Sequence, residues 1–317
     1  MSDSKLVLGL SGCLAGQEVR YDGASKRFKL REKLQETFEF RPFCPEVAIG
    51  LGVPRKTLRL VGEQHNPQVI ESDGTLNVTA KLQQYAVRVA RSIEDSSPMC
   101  GFIVCKGSPS CGMEGVKRYS EEGNVLGHDT SGAFTAELVR RLPYLPVEED
   151  GRLNDRGLFE NFLTRVFALQ RWRAMESQGF TASGLLDFHR RHKFLLLAHD
   201  QNAYRSLGPK LANLATADIS ALAEEYIVEF MAGMRNVPTQ GQHCNTLMHL
   251  QGYVKNALKP REREELADAI SAYGNSELPR HAPMTLLKHH LLNHPNEYAE
   301  SQYYLDPFPR NILVERY

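Results

Sequence analysis

The stretch Gly101 to Gly112, GFIVCKGSPSCG, constrains this chain most. It reads as a short apolar strand, Phe102-Ile103-Val104-Cys105, running straight into a loop broken by glycine and proline and closed by a cysteine. The carboxyl ends of strands in an α/β sheet are where ligands sit, and Gly107, Pro109 and Gly112 predict a tight path that leaves backbone N–H groups available. Two other segments share this grammar. Leu6-Val7-Leu8-Gly9-Leu10 breaks into Ser11-Gly12-Cys13, and Phe38-Glu39-Phe40 is followed by Pro42-Phe43-Cys44-Pro45-Glu46. Three strand-like runs thus each end near a cysteine.

Thiols from three loops can converge if the strands are neighbours in one sheet, and such a geometry suits a metal centre. Zinc ribbons bring ligands as C-x-x-C pairs, which the sequence lacks, so a structural zinc site is disfavoured. Thiolates scattered over loops fit an iron-sulfur cluster better. Three ligands to a four-iron cluster would leave one iron open to substrate. Cysteine is also a common buried residue, and Cys105, inside the strand, and Cys100, at its start, read as core.

Ser11-Gly12-Cys13-Leu14-Ala15-Gly16 with Val19-Arg20-Tyr21-Asp22-Gly23, then Cys44-Pro45-Glu46, then Lys106-Gly107-Ser108-Pro109-Ser110-Cys111-Gly112, resembles the thiouracil desulfidase family. The motifs stand in the family's order and cover the first half. The resemblance implies a 4Fe-4S cluster held by three cysteines, here Cys13, Cys44 and Cys111, with the fourth iron free for the sulfur of a thiolated pyrimidine. It implies a catalytic glutamate and serine, Glu46 and Ser108. In the second half, Phe188-His189 and His192-Lys193-Phe194 with the run to Leu211 resemble the YbgA-type domain of unknown function. The fused arrangement resembles the RudS-type proteins, which implies removal of sulfur from 4-thiouridine in tRNA. Salvage of free thiolated bases alone, or a cluster-based redox sensor or RNA-binding module without turnover, are the alternatives.

At 317 residues the chain exceeds what one core usually fills, so two domains are expected. The 38 basic and 38 acidic residues balance, and any nucleic-acid site must therefore be a local patch. No signal-like n-region and h-region opens the sequence, and no apolar run reaches membrane-spanning length, which predicts a cytoplasmic protein with reduced thiols and no membrane partner.

Residues 1–155 read as an α/β domain with a mostly parallel, Rossmann-like sheet. A helix is predicted over Lys26–Thr37, strands at 58–61 and 68–70, and a helix over 78–93. Arg55, Lys56 and Arg59 read as a solvated face, Arg140–Leu145 as a last strand or its lead-in, and Val147–Arg152 as an acidic turn. Residues 156–317 read as an all-α domain. After a long helix over 155–175, helices are predicted at 181–198, 204–212, 218–233, 241–257, 260–273 and 281–292, with a loop at Gly208-Pro209.

Between Arg165 and Lys210 eight basic residues face three acids, a surplus able to hold a phosphate backbone. Arg190, Lys193 and Arg205, with Arg191, are the candidates, and Tyr204 and Tyr253 could stack a base. His189, His192 and His199 lack an HExxH pairing and read as hydrogen-bonding positions. Around the predicted cluster, Glu46 would be an acid/base group, raised in pKa by partial desolvation. Ser108 would orient water or the pyrimidine edge, with Ser110 its rival. Lys106 would stabilise a developing anion, and Arg20, Tyr21 and Asp22 would contact substrate.

Overall fold

The computed structural model describes residues 5–95, 99–214 and 217–312. The chain divides into two compact units, one running as far as Gln170 and rejoined by Ile312, the other Arg171–Asn311.

The first unit is built from two four-stranded sheets. β1 (Leu6–Ser11), β2 (Phe38–Phe43), β5 (Met99–Val104) and β8 (Val147–Glu149) form a fully parallel sheet in the order β2-β1-β5-β8. β5 is buried at every position, as its unbroken apolar sequence requires of a strand covered on both faces. Phe102 packs between Phe43 and Phe134, at ring separations of 5.2 and 5.9 Å. The second sheet has the order β4-β3-β6-β7, from β3 (Leu58–Val61), β4 (Gln68–Glu71), β6 (Val116–Tyr119) and β7 (Val125–Thr130). Its hairpin β6–β7 has no counterpart in the sequence reading, because β7 is almost wholly exposed and shows no apolar alternation.

The helices of this unit are α1 (Arg31–Leu34), α2 (Pro45–Ala48), α3 (Thr79–Asp95), α4 (Ala133–Arg141) and the start of α5 (Arg156–Glu176). Two expectations are corrected and one is met in its second form. Only one turn of the helix predicted over Lys26–Thr37 forms, and the Lys26 N–H is given instead to the Cys13 carbonyl in the loop after β1. Arg140–Leu145 is the end of α4 and the lead-in to β8, the second of its two readings. Val147–Arg152, expected as an acidic turn, begins as the strand β8 and turns only from Asp150. Glu148, Glu149 and Asp150 are buried there, each with partners: Arg152 and Arg165 for Glu148, the Met113 N–H for Glu149, Lys26 and the Lys106 N–H for Asp150.

The second unit is helical: α6 (Ala182–His199), α7 (Gln201–Lys210), α8 (Ile219–Met234), α9 (Gln240–Val254), α10 (Pro260–Gly274), α11 (His281–Asn293) and α12 (Glu297–Glu300). Thr181, Asp200, Asp218 and Asn296 cap α6, α7, α8 and α12 through their side-chain oxygens, and Thr239 forms a capping box on α9. The predicted loop at Gly208-Pro209 lies inside α7, in its last turn, where the missing proline N–H removes one bond at a helix end that is finishing anyway. Division of the chain was expected before Arg156, whereas the compact units divide within α5, between Gln170 and Arg171. Along that helix Phe167 packs on Phe38 in the first unit, and Trp172 on Phe180, Phe188 and Tyr226 in the second.

The second unit's core holds neutral histidines. His189 shares a hydrogen bond of 3.0 Å with the Tyr226 hydroxyl, and burial, helped by Lys193, pushes its pKa down to about 4. The unfolded chain takes up that proton near pH 6.5, so stability is expected to fall as pH drops from about 6.5 to about 4, by up to about 1.4 kcal/mol per unit for this group. Thermal melting across that window checks it. His189→Gln should flatten the slope, and an unchanged slope would remove His189 from the account.

Candidate active site

The parallel sheet places four sulfur atoms at its carboxyl end. Cys13 lies two residues past β1, Cys44 directly follows β2, Cys105 directly follows β5, and Cys111 closes the loop after it. All four line one cavity of about 220 Å³, together with Arg20, Tyr21, Glu46, Arg55, Lys106 and Ser108. Cys105, expected in the core, is thus a wall residue with the other three. Cys100 is buried within β5, and Cys244 lies in the second unit.

The loop from Cys105 to Gly112 is held by its own backbone and by α4. Gly107 adopts a φ of +73°, which a side chain would strain, and the Gly112 N–H donates to the Ser108 carbonyl at 2.8 Å. The Phe134 N–H donates to the Ser110 carbonyl, and Thr135 Oγ1 donates to the Cys111 carbonyl at 2.6 Å. A Cβ at Gly132 would come within 2.5 Å of the Ser110 carbonyl carbon, so glycine there lets α4 seat against the loop. Ser108 Oγ accepts the N–H groups of Ser110 and Cys111 at 3.2 and 3.1 Å, which fixes its oxygen on the cavity wall and leaves its proton to donate. Ser110 is fully buried and is not a wall residue.

Glu46 sits in the first turn of α2 and is not a lone carboxyl. Arg55 donates from Nε and Nη2 to its Oε2, at 2.7 and 2.5 Å, while another Nη2 bond reaches the Val19 carbonyl at 2.8 Å. Both side chains are largely buried. Arg55, expected on a solvated face, is therefore the group that orients Glu46 and ties the Val19–Tyr21 loop over the cavity. A guanidinium in this place binds and orients the carboxyl group. Lys56 pairs with Asp73 outside the cavity.

At the rim, Arg20 lies over the Tyr21 ring at 5.7 Å and 3.6 Å from Asp22. Asp22 is not on the cavity wall; it accepts the Ala24 N–H and holds the loop. Lys106 is on the wall, its stem against Gly151 and its N–H on Asp150. Lys26 Nζ joins Asp150 at 2.8 Å to the Cys105 sulfur at 3.8 Å. Burial pushes the Cys111 and Cys44 thiols up. Cys13 is pushed up chiefly by its hydrogen bond with Cys105 and then by burial, whereas that same bond and Lys26 pull Cys105 down.

Among the described residues no three Cys, His, Asp or Glu side chains are gathered tightly enough for a single metal ion. The cysteines surround a cavity instead, and an all-sulfur donor set around that volume fits a polynuclear iron centre better than one ion.

In the second unit the expected basic residues are dispersed. Arg190 is engaged by Asp187 and Ser301, and Arg191 by Asp187. Among the described residues Lys193 has no carboxylate partner, and it lies 5.6 Å from the Tyr204 ring, near Tyr253 and Tyr298. Arg205 is exposed. His192 and His199 hydrogen-bond to the carbonyls of Phe188 and Leu195 on their own helix. Among the described residues no helix is long and apolar enough to cross a membrane.

Residues 8–150 match the protein family described as 2-thiouracil desulfurase, and residues 193–309 match the family described as protein of unknown function DUF1722. The uncharacterized protein YbgA of Escherichia coli (strain K12) is 32% identical over 161 residues, spanning 50% of this chain and 95% of YbgA. The uncharacterized protein YbbK of Bacillus subtilis (strain 168) is 26% identical over 157 residues, 46% of this chain and 97% of YbbK. Among solved structures, the 4Fe-4S-dependent thiouracil desulfidase TudS is 30% identical, covering 48% of this chain and 94% of that one, with a TM-score of 0.37.

The pairing of Glu46 with Arg55 has a measurable consequence. Arg55→Met leaves a buried carboxylate unpaired and should destabilise the protein by about 3 kcal/mol, as loss of one partner of a buried pair typically does. Arg55→Met/Glu46→Gln should recover part of that loss in denaturant unfolding, and additive losses would mean the pair is not coupled.

Proposed function

Since the chain belongs to the 2-thiouracil desulfurase family through residues 8–150 and to the DUF1722 family through residues 193–309, we propose that it exchanges the thiocarbonyl sulfur of a thiolated pyrimidine for oxygen. The observation that carries this reading is the cavity on which Cys13, Cys44, Cys111, Glu46 and Ser108 meet at the carboxyl end of the parallel sheet. The net change is C=S plus water giving C=O plus hydrogen sulfide, with no electron gained or lost.

A 4Fe-4S cluster held by Cys13, Cys44 and Cys111 would supply an iron without a protein ligand, a soft acceptor that improves sulfur as a leaving group. The chain's own residues do the rest. Arg55 binds Oε2 of Glu46, so Oε1 is the oxygen placed to take a proton from the attacking water and later to return one to the departing sulfide or a ring nitrogen. Ser108, its oxygen fixed by two N–H groups, donates its proton to water or to the pyrimidine edge. Lys106 offsets negative charge on the ring, while Tyr21 and Arg20 supply a face at the rim.

We extend the substrate to 4-thiouridine in tRNA, with the free base a weaker substrate. Lys193 supports this: a cation beside Tyr204, Tyr253 and Tyr298, without a carboxylate among the described residues, offers a phosphate a charge and a base a ring. Arg205, exposed, adds a second charge, whereas Arg190 and Arg191 are already engaged.

Anaerobic protein reconstituted with iron and sulfide, assayed on 2-thiouracil and on 4-thiouridine-bearing tRNA, tests both parts. Glu46→Gln should keep the thiolate-to-iron absorbance and lose turnover by about 100-fold or more. Serine at Cys13, Cys44 or Cys111 should lose the absorbance itself. Undiminished turnover in Glu46→Gln would leave a sensor without catalysis as the better reading. Lys193→Ala/Arg205→Ala should flatten the salt dependence of tRNA binding by roughly 1.4 to 1.8 in log slope and spare activity on the free base. Unchanged tRNA binding would restrict the substrate to free bases.

A further inference from the structure

Four thiols line the cavity, and the proposed reaction uses three of them. The fourth, Cys105, stands beside Cys13 for reasons of sheet register. β1 and β5 are parallel neighbours paired through Leu10 and Ile103, so Gly12-Cys13 after one strand and Cys105 after the other leave the sheet from adjacent strands at the same end. Neighbouring strands lie about 4.8 Å apart, inside the span that a disulfide bridges. Both thiols line the cavity, and Lys26 touches both residues, its N–H on the Cys13 carbonyl at 3.0 Å and its Nζ 3.8 Å from the Cys105 sulfur. The Cys105 N–H donates to Ser11 Oγ at 3.0 Å, and Lys26, anchored by Asp150, holds the sulfur on the cavity side. Cys44 and Cys111 arrive from other loops. Cys44 Sγ contacts the Val19 carbonyl, and the Cys111 carbonyl is pinned by Thr135.

We propose that Cys13 and Cys105 are a redox modification site: when no cluster occupies the cavity, a peroxide joins them in a reversible disulfide. The step is balanced as two thiols plus hydrogen peroxide giving one disulfide and two waters. One thiolate attacks the peroxide oxygen, forming a sulfenic acid and releasing water; the second thiol displaces the hydroxyl as the second water. A dithiol reductant reverses it by exchange. The consequence follows from which thiol is taken. Cys13 is one of the three proposed cluster ligands, so disulfide and cluster exclude each other at that position. The disulfide also halts Cys13 at a reversible rung, short of the sulfinic acid that would remove the ligand for good. This inference rests on the proposed ligand set only for its consequence; the bond itself depends on the register of β1 and β5.

The test uses the full chain, reduced and metal-free, treated anaerobically with one equivalent of hydrogen peroxide. Thiol titration should fall from the six cysteines of the sequence to four. Tryptic mass spectrometry without reductant should join the peptide of Cys13 to that of Cys105, and dithiothreitol should restore all thiols. In Cys105→Ala the joined peptide should be lost, and a second equivalent of peroxide, which sulfinic acid requires, should carry Cys13 to sulfinic acid while the parent keeps its disulfide. Cys244→Ala, altered in the other unit, should behave as the parent. The readout for cluster binding is iron content: oxidised parent should take up iron and sulfide only after dithiothreitol, and oxidised Cys105→Ala should not be rescued. A crosslink joining Cys13 to Cys44 or Cys111, or reversible protection of Cys13 in Cys105→Ala, overturns the proposal. If the crosslink forms but oxidised protein still incorporates iron, the disulfide stands and the assignment of Cys13 as ligand fails.

Discussion

Parallel pairing of β1 with β2 on one side and β5 on the other is the constraint from which the site follows. Three strands pointing the same way deliver their following loops to one edge, so cysteines far apart in sequence reach one cavity without any local spacing motif. That delivery requires a β5 apolar throughout, because a central parallel strand is covered on both faces. It also requires the turns after the strands to be tight. The Cys105–Gly112 loop meets this with a left-handed glycine, a serine whose oxygen accepts two N–H groups, and a helix seated against it at Gly132.

Charge is organised around the same edge by buried pairs. β8 carries Glu148, Glu149 and Asp150 into the interior, where each would be costly alone and each has donors. Asp150 links Lys26 from the loop after β1 to the backbone after β5, so one carboxylate fastens together the two segments that bear Cys13 and Cys105. Arg55 does the same on the opposite wall, joining Glu46 of α2 to the loop that bears Arg20 and Tyr21. Removing either partner would strand a buried charge and loosen a wall at once.

What could be read from sequence was the part written as local pattern. The three strand-to-cysteine breaks, the long α3 and α5, and the helices of the second unit as far as α11 follow from apolar periodicity, whereas the short α12 does not show in it. What escaped was decided by distant partners. Val147–Arg152 looks like an acidic turn because nothing nearby announces Lys26 or Arg165. Arg55 looks like surface because its partner Glu46 lies across a loop, and Cys105 looks like core because its neighbour Cys13 is brought in by register. The basic run of α6 looks continuous, yet Asp187 takes up two of its arginines and leaves Lys193 among tyrosines. In the site itself, Ser108 and Ser110 could be separated only by the turn that puts one on the wall and buries the other.

The central claim is that this cavity exchanges sulfur for oxygen from water without redox chemistry. The most direct measurement is an anaerobic reaction of reconstituted protein with a thiolated pyrimidine in oxygen-18 water, following product mass and sulfide together. The account predicts an oxo product carrying the water's oxygen, sulfide released in equal amount, and no requirement for an added reductant or oxidant. Product lacking the label, or turnover that stops unless an electron donor or acceptor is supplied, would contradict it.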